Sequence, residues 1–382
     1  MSKFLAMPLK YKLHIVSFAV PYPPDYGGVI DVFYKIKKLH SLGVSIVLHV
    51  FQYDGRQSAE LEKYCDQVYY YPRSRQLSDQ FAITPFIVKS RSDSAVLENL
   101  LGDDAPILFE GLHTTHFLNH PQLASRRRFI RMHNIESDYY YHLYKAERKW
   151  LKKIFFYIES KKLARYEKRI LAKADGIFTV SQKDNVQLQQ YSNAHMVGAF
   201  HSFEAVNIAL GKGDFALYHG KLNVAENNEA ALFLVNNVFS KTNYPLVVAG
   251  SDPSKELIEA VAKRENITLR TGLSTEEIHL LIAQAQMNVL PTFQSTGVKL
   301  KLLSALYSGR FCVVNETMVK GTGLSAYCHV VENDMGWLTA IDRLKMLEFG
   351  ADELSKREQL EKESYSNSVN ANKLYALLFP SS

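Results

Sequence analysis

Short runs of consecutive apolar residues alternate with helix-period segments along almost the whole chain, and that alternation leaves few folds open. Leu13–Ala19 leads through a Pro- and Gly-rich turn into a helical pattern at Val29, Phe33, Ile36 and Leu39, which Gly43 ends. Val44–Phe51, Gln67–Tyr71, Ile107–Glu110, Phe129–Met132 and Gly176–Val180 are further strand candidates. Strands apolar on both faces, separated by helices, are the grammar of a parallel sheet covered on both sides. The grammar restarts at Phe215–His219 and continues through Leu246–Ala249, Ile267–Arg270, Met287–Leu290 and Phe311–Asn315. A chain of 382 residues is long enough for two domains. The expectation is an α/β protein of two doubly wound domains facing each other, joined near residues 192–214. Ligands then belong at the carboxyl ends of the strands.

Composition narrows the class further. Hydrophobic residues at 47% and charged residues at 22% exclude wholesale disorder. Cys65, Cys312 and Cys328 are odd in number and far apart, which argues against a disulfide framework or a thiolate zinc site and for a reducing cytoplasm. Leu13–Val20 is too short to span a bilayer and runs into Pro21-Tyr22-Pro23-Pro24, so it reads as a buried strand rather than a leader. The excess of 45 Lys and Arg over 39 Asp and Glu is modest for a nucleic-acid binder, and no such module is present.

Three segments carry candidate chemistry. Gly27-Gly28 opens the first helix, where backbone N–H groups can approach a ligand at the positive end of the helix dipole. His133 follows the strand Phe129–Met132, placed to hydrogen-bond a ligand or move a proton. In the second half, Ser295-Thr296-Gly297-Val298 precedes a helix, a setting for phosphate on free N–H groups, with Lys301 one turn in and Gly220-Lys221 at another strand end.

This order of motifs resembles the GT-B fold glycosyltransferases, most closely the family-4-like branch that makes bacterial cell-surface polysaccharides. The resemblance runs from about residue 12 to 379. It rests on Gly27-Gly28, His133, Gly220-Lys221, Val247-Val248-Ala249-Gly250, Thr271-Gly272-Leu273, Asp175–Ser181 and the segment Pro291 to Val314. It implies two Rossmann-like domains: residues 1–200 for the acceptor, joined by a returning tail helix at about 365–382, and residues 201–364 for the nucleotide sugar. It further implies donor contacts at Gly220, Lys221, Gly250, Gly272, Leu273, Ser295, Thr296, Gly297, Val298, Lys301 and Ser304. Gly27, Gly28, Glu110 and Glu136 would line the acceptor side, and His133 would lie beside the transferred sugar. No metal or other cofactor is expected, since lysines and helix N–H groups take that charge.

One departure stands out. The family carries two glutamates eight positions apart, and Thr296 and Ser304 occupy those positions here. The family's retention of anomeric configuration therefore carries over only as an implication. Two other functions fit the same fold: a sugar-nucleotide epimerase, and a degenerate glycan-binding homologue. Finally, Lys145 to Arg169 holds ten basic residues against Glu147, Glu159 and Glu167, and Leu151, Ile154, Phe155 and Ile158 form an apolar stripe. Peripheral contact with an anionic membrane is the expected use, with Arg126-Arg127-Arg128 adding to the patch.

Overall fold

The computed structural model describes residues 11–53, 55–147, 149–293, 299–362 and 365–380. The chain forms two compact units, residues 1–202 with 366–382, and residues 203–365. In the first, β1 (Tyr11–Ser17), β2 (Val44–Gln52), β3 (Gln67–Pro72), β4 (Ile107–Glu110), β5 (Arg128–Met132), β6 (Gly176–Thr179) and β7 (Ala194–Met196) form one sheet. Its order is β3-β2-β1-β4-β5-β6-β7, and every pairing is parallel. In the second, β8 (Ala216–His219), β9 (Leu246–Ala249), β10 (Ile267–Arg270), β11 (Met287–Leu290), β12 (Phe311–Asn315) and β13 (His329–Val331) pair in the order β10-β9-β8-β11-β12-β13, again all parallel.

Both sheets reverse direction at one place, between β1 and β4 and between β8 and β11. Such switch points open a crevice at the strand carboxyl ends because the two flanking connections leave to opposite faces.

Local chemistry explains the elements. Helix Gly27–Ser41 buries Val29, Val32, Phe33, Ile36 and Leu39 on one stripe, and Gly43 follows it at φ 82°. That left-handed value is cheap only for glycine. The short strands β7 and β13 were not expected, since each presents only three residues of ladder. The basic stretch Lys145 to Arg169 spans two helices, Glu136–Ala146 and Trp150–Leu171, folded into a hairpin. The helix expected from Gly297 is described from Leu300 to Ser308, its first residues lying outside the described range. Among the described residues, no helix is long and apolar enough to cross a membrane.

The tail helix Asn367–Leu378 belongs to the first unit, where Ala371, Leu374 and Leu378 enter the core with Val29, Val32 and Ile36. Polar contacts fix its register: the Gly198 N–H donates to Asn370 Oδ1 at 2.9 Å, and Asn367 bonds both backbone groups of His201. Arg127 caps its carboxyl end, donating to the carbonyls of Leu377 and Leu378. Arg126 likewise bonds the carbonyls of Leu100 and Ala105, and Arg128 that of Leu118. All three guanidinium groups of the arginine triplet thus bond backbone carbonyls, a structural role that leaves Arg127 exposed and buries Arg126.

A buried polar chain crosses the first sheet. Asn99 donates to Tyr71 Oη (2.9 Å), Tyr71 to His49 Nδ1 (2.8 Å), His49 Nε2 to His14 Nδ1 (2.9 Å), and His14 Nε2 to Asp103 (3.0 Å). Because the Asp103 carboxylate only accepts, this direction follows when both imidazoles are neutral. Burial, then the neighbouring His14, pushes His49 down to about 3, and burial lowers His14 too. A histidine with a lowered folded pKa contributes stability that is complete above its unfolded pKa and declines as pH falls toward the folded one. Between pH 6.5 and 5 the His49 share is about 2 kcal/mol. Urea midpoints at pH 7.5, 6 and 5 are expected to fall more steeply for the wild type than for His49→Phe; parallel slopes would refute this.

Candidate active site

At the first switch point, a cluster of charges lies under the strand ends. Asp31 and Lys35 sit one turn apart on helix Gly27–Ser41, Glu110 ends β4, and Arg131 lies in β5. Lys35 Nζ is 2.9 Å from Asp31 Oδ2 and bonds Glu110 Oε2 at 2.9 Å. Its other contact, 2.8 Å to Glu110 Oε1, is an ion pair outside hydrogen-bond alignment. Arg131 grips Asp31 through Nη2 at 2.8 Å and Nε at 3.3 Å, and the Phe200 N–H adds a third donor at 2.8 Å. All four side chains are buried. Two carboxylates against two permanent cations make the cluster neutral, the condition for keeping such groups out of water. Burial alone would raise both carboxyls, but Arg131 and Lys35 hold Asp31 far below the usual carboxylate range, and Lys35 and His133 lower Glu110.

His133 is the outermost member, its side chain 14% exposed, with Nε2 3.1 Å from Glu110 Oε2 and Nδ1 3.7 Å from Asp31. The two carboxylates fix the ring's orientation, and the edge of the imidazole meets the Phe18 ring at 5.7 Å between centroids. Gly28 makes room for that ring, since a methyl there would come within 2.7 Å of Phe18 Cζ. Gly27 begins the helix, whose N-cap is Tyr26 in an extended conformation. Asp31, Glu110 and His133 present ligand atoms within 4.8 Å of one another, a spacing suited to a metal ion. The ammonium of Lys35 already bridges both carboxylates, so a divalent cation there would meet Lys35 and Arg131 at close range.

Glu136 does not join this group. It starts helix Glu136–Ala146 as one half of a carboxyl pair with Glu167, and burial, then Glu167, pushes it up to about 8. Glu167 rises to about 7 through burial and is held by the N–H and hydroxyl of Ser137.

At the second switch point, Asn227 ties two strand ends together. Its Nδ2 donates to the Lys221 carbonyl at 3.0 Å, and its Oδ1 accepts from Lys301 Nζ at 2.7 Å. Lys301 also reaches Tyr218 Oη at 3.3 Å and lies 5.0 Å above the Tyr218 ring. Burial lowers its pKa to about 8, with Glu226 raising and Lys299 lowering it. Lys299, in turn, pairs with Glu226 at 3.0 Å, and Glu226 also takes the Thr292 hydroxyl beyond β11. Asn227 therefore links the Lys221 backbone to the Lys301 ammonium and brings together the two turns that carry these lysines.

The other expected donor residues separate into three groups. Ser295, Thr296, Gly297 and Val298 lie outside the described residues. Gly220 and Gly250 are packing glycines: a methyl at Gly250 would lie 1.9 Å from the Gly220 carbonyl oxygen. Gly250→Ala is expected to cost about 1–3 kcal/mol, the scale of forced overpacking, in urea unfolding; an unchanged midpoint would contradict this contact. Gly272 is required by its backbone, at φ 71° with open space around it, while Leu273 packs partly on the apolar cluster of Leu217, Ala249 and Ile282. Ser304 spends its hydroxyl proton on the Leu300 carbonyl of its own helix at 3.1 Å. Its remaining capacity is that of an acceptor only, so it cannot donate to a ribose while so bonded.

Sequence reading missed Asp31, Lys35, Arg131 and Asn227. Helical spacing gave no signal for the first two: both are buried, yet they lie off the apolar stripe of helix Gly27–Ser41, beside it rather than on it.

Two parallel, doubly wound sheets, each with one switch point, and a tail helix returned to the first unit match the GT-B class of folds. Residues 214–344, within the second unit, match the family model of Glycosyl transferases group 1. Over the full chain, TarM superposes with a TM-score of 0.68 at 13% identity, covering 97% of this chain and 99% of that one. Trehalose-6-phosphate synthase, OtsA, gives 0.66 at 9% identity with the same coverage. A variant of S. aureus TarM, solved with Fondaparinux, alpha-GlcNAc-glycerol and UDP, also gives 0.66, at 11% identity over 97% of this chain and 100% of that one. In sequence, the chain is 26% identical over 332 residues to an uncharacterized 44.6 kDa protein in the cps region of Klebsiella pneumoniae, covering 82% of this chain and 84% of that one.

Proposed function

We propose that the protein is a glycosyltransferase that moves a sugar from a nucleotide-diphosphate sugar to a saccharide or lipid-linked acceptor, in the cytoplasm, for cell-surface polysaccharide synthesis. The observation that carries this reading is Asn227 at the β8–β11 switch point, inside the matched segment, which joins the Lys221 backbone to the Lys301 ammonium. Departure of a nucleoside diphosphate builds charge on the β-phosphate, and the Lys301 ammonium held by Asn227, with Lys221 on the adjoining turn, would stabilise it without a metal ion. The first unit would hold the acceptor near His133, oriented by Glu110. The relative in the cps region supports the polysaccharide assignment, and the UDP complex of the TarM variant makes uridine the first base to try.

A thermal-shift screen of UDP, GDP, ADP and their sugars tests the donor. A ligand at 100 times its Kd stabilises the native state by about 2.7 kcal/mol. One base is expected to shift the transition with chelator present. Failure of every base would favour the degenerate glycan-binding reading, to which the spent hydroxyl of Ser304 already lends weight. Consumption of the sugar nucleotide without acceptor would favour an epimerase. Retention of anomeric configuration is the outcome we assign to the transfer, and NMR of the product reads it directly.

A further inference from the structure

The hairpin of helices Glu136–Ala146 and Trp150–Leu171 carries large apolar side chains outward. The apolar stripe is buried only in the second half of the longer helix, at Leu163, Tyr166 and Ile170. In its first half Trp150 is 68% exposed, and Leu151, Ile154 and Ile158 are exposed as well. Positions 150, 154, 158 and 162 recur at helical spacing and so share one face. Lys162 Nζ, on that row, donates to the Gln80 carbonyl at 2.8 Å, which sets residues 77–83 alongside. The Phe86 N–H bonds Glu159 at 2.7 Å, fastening the end of that segment to the same helix. From it Phe81 and Ile83 stand 87% and 94% exposed. One exposed hydrophobe is ordinary; six brought together from two distant segments form a contiguous patch.

The charges around the patch identify its occupant. Lys149, Lys152, Lys161 and Arg165 are exposed along the longer helix. Lys145 lies 4.8 Å from the Tyr141 ring centroid, Lys153 5.3 Å from Tyr144, and Lys161 5.4 Å from Tyr157. The helix's own carboxylates are withdrawn: Glu159 is buried against Lys162 and the Phe86 N–H, and Glu167 against Ser137. A second copy docked through this face would set lysines against lysines. An anionic surface would accept the ammonium groups on its phosphates and the apolar tip beneath them, an arrangement favoured by snorkelling lysines and interfacial Trp and Tyr.

We propose that the hairpin tip and the segment 77–83 together form a docking surface for an anionic lipid membrane. This reading is independent of the transfer reaction, and it replaces the basic stretch alone with an apolar patch framed by lysines.

The chain carries its own reporter. Of its two tryptophans, Trp337 is 2% exposed and Trp150 is the other. Vesicles of phosphatidylglycerol and phosphatidylcholine are expected to shift Trp150 emission to the blue and to co-sediment the protein, whereas pure phosphatidylcholine does neither. Trp150→Phe is expected to lose the emission shift. Lys152→Glu with Lys153→Glu is expected to lower partitioning at least tenfold, since each lysine near such a surface contributes about fivefold. Phe81→Ser with Ile83→Ser is also expected to lower it, at positions whose exposure leaves the fold intact. Absence of co-sedimentation with anionic vesicles overturns the proposal. So does a lipid-free blue shift that grows with protein concentration and accompanies a dimer in ultracentrifugation. The nucleotide-induced thermal shift is measured without vesicles, so the failure of either reading is seen separately.

Discussion

Arg131→Met is expected to destabilise the first unit by about 3–5 kcal/mol, the cost of leaving a buried charge without its partner. The side chain is fully buried and makes four contacts: two with Asp31, and one each with the carbonyls of Val197 and Gly198. Methionine fills the stem's volume but satisfies none of these groups, and Lys35 is then left to neutralise two carboxylates alone. Against a typical domain stability of about 5–15 kcal/mol, this is a large fraction. Urea unfolding gives the value. Adding Asp31→Asn to Arg131→Met removes the orphaned charge and is expected to recover part of the loss. Equal stability of the single and double variants would show that no orphaned charge on Asp31 accounts for the loss, and additive effects with the Asp31→Asn single variant would show that the two residues are not energetically coupled. Arg131→Lys is not a conservative alternative, because one ammonium cannot reproduce the fork on Asp31 and the two carbonyls.

Lys301→Met should separate binding from folding. If Lys301 stabilises the departing diphosphate, its loss lowers turnover more than tenfold and toward about a hundredfold, the scale of removing one preorganised donor. Stability should change in the opposite sense or not at all, since burial already disfavours the ammonium and methionine keeps the contact with the Tyr218 ring. A lysine kept only for structure would instead cost stability and spare turnover. The pH dependence adds an independent check. With a pKa lowered to about 8, the free protein loses the Lys301 charge as pH rises through that value. Affinity for a nucleoside diphosphate is expected to weaken above pH 8 in the wild type, with proton uptake on binding, and to be flat over that range in Lys301→Met. The same downward slope in both proteins would remove Lys301 from the donor site.

Much of the fold was legible because its cause is local. Apolar runs such as Ile46–Leu48 and Ile107–Phe109 suit strands covered on both faces, and Gly43 marks a helix end by its left-handed backbone. The three-residue strands β7 and β13 were not legible, since so short a ladder leaves no period to count. The candidate site was legible in part. Glu110, His133, Gly220, Lys221 and Lys301 could be named from their positions at strand ends and helix starts. Their partners could not, because Asp31 meets Arg131, and Asn227 meets Lys301, only through crossovers between sequentially remote elements.

By itself the sequence determined the order of elements, the parallel character of both sheets and the strand ends at which chemistry can gather. Periodicity and glycine placement act within a few residues, so a linear reading captures them. The tertiary structure alone decided which charges are neutralised in the interior and which apolar stripe is left uncovered. The row through Trp150, Ile154 and Ile158 reads like any core face, yet no element of the described chain covers it. Burial is a property of what packs opposite, and pairing a buried charge depends on geometry that only the folded crossovers supply.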